Sequence, residues 1–162
     1  MLSSRTRIKV GDVFEIPLPN NKKTYGQYIL WDERYGPLVR IFNLIVHQEQ
    51  PPDLQKIVQQ KILFPPVFTG LYAAIRQEIW HVIGNSPVEK FEFPSFLTGL
   101  INEHGKVNMW SIRDSKASKR IGPVLPKRYK NLEYLVVWNP PNLTKRIETG
   151  ENPYDRLKDL SQ

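Results

Sequence analysis

Short apolar stretches separated by proline, glycine and asparagine breaks run along the whole chain, a pattern of strands and turns rather than of long helices. Residues 8–19 mix polar and apolar positions around Val13, Phe14, Glu15 and Ile16, then meet prolines that cannot donate to a ladder. They predict a strand that ends at a sheet edge. Asn20-Asn21-Lys22-Lys23 supplies a turn, and Thr24 to Trp31, rich in aromatic and β-branched types, predicts the returning strand of a hairpin. After Arg34-Tyr35-Gly36-Pro37 a third strand is expected from Leu38 to Asn43, completing an antiparallel meander.

Pro51-Pro52-Asp53, followed by Leu54, Ile57 and Val58 at helical spacing, predicts a capped helix of about two turns. From Ile62 to Ile75 the pattern is ambiguous, because Phe64-Pro65-Pro66 opposes regular structure; for Leu71-Tyr72-Ala73-Ala74-Ile75 a strand is favoured over a helix. Ile79 to Ile83 reads as a strand closed by the loop Gly84-Asn85-Ser86-Pro87, with His81 facing opposite Trp80. Phe96 to Ile101 and Val107 to Ile112 predict a second hairpin around Asn102-Glu103-His104-Gly105-Lys106. Leu132 to Trp138 predicts one buried strand ended by Asn139-Pro140-Pro141, and Leu143 to Leu160 a short helix followed by a turn or tail, with residues 148–162 as the C-terminal helix or tail. The expected fold is α+β and β-rich. It is a single domain over residues 1–162, a twisted antiparallel sheet or small partly open barrel with short peripheral helices.

Length and composition agree with a packed domain: 162 residues, 40% hydrophobic and 24% charged, with no cysteine. Disulfides, thiolate metal sites and thiol nucleophiles are excluded together. The N-terminal residues form no continuous apolar run of the signal-peptide kind, and no apolar stretch approaches the roughly 20 residues a membrane helix needs. A cytoplasmic protein is expected. The net charge of +7 is local, because residues 115–132 hold Lys116, Lys119, Arg120, Lys127, Arg128 and Lys130 and no acid. One basic segment on a near-neutral body points to a bounded patch rather than to nonspecific polyanion binding.

Candidate chemistry is sparse. His47, His81 and His104 lie far apart, without the spacing that sets two ligands on one element, so no metal and no cofactor is expected. No glycine-rich phosphate loop or Gly-x-Ser-x-Gly elbow occurs, and Asp32-Glu33 on a strand would point to opposite faces. No catalytic residue is assigned. Tyr129, among Lys127, Arg128 and Lys130, admits a nucleic-acid reading, but one aromatic is a poor stacking platform and an acidic protein partner is preferred. Lys116, Lys119, Arg120, Lys127, Arg128, Tyr129 and Lys130 are the candidate partner-binding residues.

Four pieces in order complete the reading: Val10-Gly11-Asp12-Val13-Phe14-Glu15-Ile16-Pro17-Leu18-Pro19 with Tyr25-Gly26-Gln27-Tyr28; Pro51-Pro52-Asp53-Leu54; Trp80-His81-Val82-Ile83-Gly84-Asn85-Ser86-Pro87 with Phe93-Pro94-Ser95-Phe96; and Leu132-Glu133-Tyr134-Leu135-Val136-Val137-Trp138-Asn139-Pro140 with Arg156-Leu157. Together they resemble the immunity protein 26 family of bacterial polymorphic-toxin systems. The resemblance implies a cytoplasmic inhibitor that binds a cognate toxin domain and blocks it, with Gly11, Asp12, Phe14, Gly26, Trp80, Gly84, Asn85 and Trp138 as scaffold residues. Gly11, Gly26 and Gly84 would serve turns or close packing, and Trp80 and Trp138 would anchor the core. The family label is also linked to a HocA-type phosphotriesterase, and a metal-dependent enzyme of that kind is the alternative, with a nucleic-acid-binding module as another. The chain departs from the family pattern in the length and charge of its 113–131 connection and around Glu148 to Tyr154.

Overall fold

Asn20 and Asn21 both take left-handed backbone angles, φ 62° and 56°, which asparagine tolerates better than most residues. They reverse the chain between β1 (Asp12–Leu18) and β2 (Lys22–Asp32). Gly36, with φ 80°, opens β3 (Gly36–Ile41), so the expected meander forms. The computed structural model describes residues 7–89 and 91–160; the first six residues of the leader reading, and Gln162 and Ser161 of the tail, lie outside them. The chain is a strand-rich α+β protein, as expected.

Its residues divide into two compact units, one of residues up to Phe91 with Val137–Gly150, the other of Glu92–Val136 with the residues from Glu151 onward. In the first unit the strand order is β11-β5-β3-β2-β1-β6, where β5 is Val67–Thr69, β6 is His81–Asn85 and β11 is Val137–Trp138; β4 (Val46–His47) also pairs with β2. The pairings are antiparallel except for β11 on β5. β6 pairs with β1 only at residues 12–15, so Pro17 stands where β1 has a single neighbour.

Both faces of this sheet are filled. Phe14, Gly26 and Ile41 stand in one cross-strand row, and Trp80 stacks on Phe14 with 5.3 Å between centroids and planes 10° apart. A Cβ on Gly26 would come within 2.6 Å of the Phe14 ring. On the opposite face Val13, Tyr25, Phe42 and Ile57 form a buried cluster, with Leu54 and Val58 of α1 (Leu54–Val58) against it. Each such side chain stabilises the fold by about 1.5–3 kcal/mol. Asp53 caps α1, its carboxylate accepting the Lys56 N–H at 3.3 Å, as the sequence predicted.

Two expectations change here. Residues 71–75 form no strand: α2 spans Leu71–Arg76, with Leu71 and Ala74 buried three apart and Tyr72 and Arg76 exposed. The neighbouring Val67–Thr69 takes the sheet position, and two alanines favour helix once the ladder is occupied. The second change is at β6, which starts at His81 and runs through Gly84 and Asn85 instead of closing before them, because Asp12 and Val13 offer them partners. Trp80 is buried and His81 exposed, in keeping with their opposite orientations.

The second unit carries a sheet of order β10-β7-β8-β9, with β7 Phe96–Ile101, β8 Val107–Arg113, β9 Ser118–Gly122 and β10 Glu133–Tyr134. Its hairpin turns on Gly105, φ 74°, while the Asn102 side-chain oxygen accepts the N–H groups of His104 and Lys106 at 2.9 and 3.0 Å. Leu97, Val107, Trp110 and Leu125 form its core, with Ile112 and Tyr129 packed against them. The single strand expected over residues 132–138 is two: Glu133–Tyr134 runs parallel to β7, and Val137–Trp138 runs parallel to β5. A run of seven apolar-rich residues can feed two ladders when each uses two of them. α3 (Pro140–Thr149) follows, capped by Asn139 and closed by Gly150 at φ 75°, and then a 3-10 turn over Pro153–Asp159. Among the described residues no helix is long and apolar enough to cross a membrane.

Candidate functional site

Three of the residues expected to serve the scaffold, Gly11, Asp12 and Asn85, meet in a hydrogen-bonded network at the start of β1. Gly11 has φ 94°, and a Cβ there would lie 2.7 Å from the Ser86 carbonyl oxygen, so the position requires glycine. The Asp12 carboxylate accepts the Lys9 N–H at 3.0 Å and the Asn85 side-chain amide at 2.9 Å; the same amide reaches the Val10 carbonyl at 3.1 Å. Asn85 thereby ties the end of β6 to the start of β1.

Gln27, fully buried, extends the network across the sheet. Its amide nitrogen donates to the carbonyls of Gly11 and Ser86 at 3.2 and 2.8 Å, and its oxygen accepts from Nε of Arg40 at 2.9 Å and from Nη2. Arg40 lies 5.3 Å over the Phe42 ring, and burial lowers its pKa from the ordinary arginine value. Bonds to a charged group contribute roughly 1.5–3 kcal/mol each. Gln27 and Arg40 were absent from the sequence candidates. An amide amid the aromatic residues 25–28 and a cation inside β3 were the available signals.

The other scaffold residues are packed as well. A Cβ on Gly84 would touch Leu54 at 3.3 Å. Trp138, 3% exposed, offers its carbonyl to the Thr69 hydroxyl at 2.8 Å and lies beneath the Arg146 guanidinium, 5.2 Å away. These polar atoms are turned toward one another and toward backbone. Such an arrangement holds a shape.

The basic segment is arranged differently. Lys116 sits in a turn closed by Asp114, whose carboxylate accepts the N–H groups of Lys116 and Ala117 at 2.8 and 3.0 Å. The backbone bonds from Ala117 and Lys116 hold the Asp114 carboxyl below its ordinary value. Lys119 and Arg120 are exposed on β9 and pair with Ile112 and Ser111 of β8. As neighbours on a strand they point to opposite faces.

Arg120 shares a row with Ser111 and Thr98, and with Leu100 and Met109 these residues line a shallow depression of about 540 Å³. Lys119 is on the other face, in the row of Ile112 and Leu97. There Arg128 lies 4.6 Å over the Tyr129 ring. A hydrogen bond with Arg128, then the charges of Arg128 and Lys119, hold the Tyr129 hydroxyl below the usual tyrosine range. Lys127 opens the 3-10 turn Lys127–Tyr129 and Lys130 caps its end, and both are exposed. The structure thus gathers Lys119, Arg128 and Tyr129 on one face of β9 and sets Arg120 on the other.

A further exposed feature had no counterpart among the candidates: Trp31, 55% exposed, meets Tyr72 edge to face at 5.9 Å, and Tyr72 meets buried Tyr28 at 6.2 Å. The three histidines lie on separate elements. His47 pairs with Lys22, His81 lies beside Glu15 on β6, and His104 is in the hairpin tip, 3.5 Å from Glu103. Among the described residues no group of three His, Asp or Glu could hold a metal ion.

Comparison of the sequence with curated proteins and with solved structures returned no match. The model of the family described as Immunity protein 26 matches residues 9–107. That stretch is more than half of the chain and contains the whole Gly11, Asp12, Gln27, Arg40 and Asn85 network, and it ends before the basic segment. The chain belongs to the immunity protein 26 family.

Proposed function

We propose that this protein acts in the cytoplasm of a producing cell, where it binds a cognate toxin domain and neutralises it by covering the toxin's working surface. Membership of the immunity protein 26 family carries the reading. The inward-facing scaffold network supports it, since residues that hydrogen-bond one another hold a shape and leave recognition to other surfaces. The surface we assign to the toxin is the basic segment, Lys116, Lys119, Arg120, Lys127, Arg128, Tyr129 and Lys130. Cations on a surface seat acidic partners and speed the encounter with them.

The test is co-production in a sensitive host with the toxin domain encoded beside its gene. Growth restored by this protein, and recovery of a one-to-one complex at physiological salt, is the expected outcome. Continued killing with both proteins folded and abundant would reject the reading. Hydrolysis of an aryl phosphotriester that a chelator abolishes and added metal restores would replace it with the enzymatic alternative.

A further inference from the structure

β9 is the last strand of its sheet: β8 lies on one side, and among the described residues no strand lies on the other. Ser118, Lys119 and Arg120 are all exposed, and a Cβ on Gly122 would meet nothing within 4 Å. An edge of this kind presents backbone N–H and C=O groups along one line, a template for a further strand. The six cations of residues 115–132 lie on this edge, in the turn before it and in the turn after it, without an acid among them.

From this placement we infer that the free edge of β9 is a docking site for an acidic extended segment of the toxin, which joins the sheet as a strand beyond β9. The inference rests on the immunity reading above and specifies how that surface is used. Side chains of an added strand alternate between the two faces. On one face they meet Arg120 beside the depression lined by Ser111, Thr98, Leu100 and Met109. On the other they meet Lys119, with Arg128 and Tyr129 nearby. Carboxylates at successive positions of the segment therefore find a cation on either face, and backbone hydrogen bonds fix the register between them.

The same charges decide against other occupants. A second copy of this chain laid edge to edge would bring Lys119 and Arg120 against their own kind, and like charges opposite one another destabilise a ladder. A nucleic acid would leave the strand edge unpaired, and Tyr129, the aromatic among these cations, already packs against the core and under Arg128. The bulge between Trp110 and Ser111 in the β8 and β9 register leaves Ile121 as the extra residue near the far end of the edge. Docking is therefore centred on residues 118–120.

Hydrogen–deuterium exchange of the full chain, free and with the toxin domain encoded beside its gene, tests the inference. Amides of residues 118–122 should exchange at least roughly tenfold more slowly in the complex, as newly bonded strand edges do. The double variant Lys119→Glu with Arg120→Glu should bind roughly ten- to a hundredfold more weakly, mainly through faster dissociation. Lys127→Glu with Lys130→Glu, off the strand, should instead slow association and leave dissociation nearly unchanged. Should the first double variant melt below wild type, the exchange measurement on wild type decides. A wild-type complex that neutralises the toxin while residues 118–122 exchange as in the free protein overturns the edge docking and leaves the immunity reading intact. A wild-type protein that neither binds nor neutralises the toxin overturns both. Tight oligonucleotide binding that protects the same amides overturns the acidic-strand assignment.

Discussion

Around the start of β1, the side chains of Asp12, Gln27, Arg40 and Asn85 hydrogen-bond one another or nearby backbone, and Gln27 has no exposed surface at all. Around β9, Lys116, Lys119, Arg120, Lys127, Arg128 and Lys130 are exposed and face no acid within their own segment. Both sets are polar and both break the apolar pattern, yet the first closes on itself and the second opens to solvent. The family match spans the first set and ends before the second. Motif residues need not be contact residues, because a shape must be held before any surface can be presented.

The comparison breaks most readily at the core of the first region. Trp80→Ala removes the ring stacked on Phe14 and should cost about 3–5 kcal/mol in chemical denaturation. An unchanged midpoint would mean that this motif residue does not hold the scaffold. Gly26→Ala comes next: the new Cβ must displace the Phe14 ring, and a loss of about 1–3 kcal/mol is expected from the overpacking. Asn85→Ala should cost about 1–2 kcal/mol, since Asp12 loses a side-chain donor.

In the second region the expected effect on folding is smaller. Lys119→Glu with Arg120→Glu should leave stability within about 0.5 kcal/mol of wild type, because both side chains are exposed and neither is part of a core. A larger loss would make these cations scaffold too and erase the contrast. The last test is a titration of tyrosinate absorbance. Tyr129→Phe should remove an early-ionising tyrosine, held low by Arg128, and Tyr28→Phe a late one, raised by burial and by the hydrogen bond with Tyr72, 3.5 Å away. Because folding raises the Tyr28 value, its contribution is fully present below the ordinary tyrosine range and is lost as pH rises through the folded value. Tyr28→Phe should therefore flatten the fall of stability in alkali, as read from thermal midpoints against pH.

Local signals in the chain were enough for the elements whose cause is local. Asn20-Asn21 made its turn, Asp53 capped its helix, and Gly105 took the positive φ that a hairpin tip requires. In each case the deciding atoms lie within a few residues of one another, so adjacent residue types carry the information. The basic segment was legible for a similar reason, since charge is counted along the chain.

What only the tertiary structure decided depends on partners far away in sequence. Residues 71–75 are helix where Val67–Thr69 holds the sheet position beside β3, and residues 132–138 are divided because two different strands, β7 and β5, each accept two of them. Asp12 and Asn85 meet across 73 residues and Gln27 and Ser86 across 59, so neither bond leaves a trace in local pattern. Which face Lys119 and Arg120 each take was likewise settled by their register on Ile112 and Ser111. A strand's alternation says that neighbours diverge, and only the ladder says which of them meets Tyr129 and which meets Thr98 and Ser111.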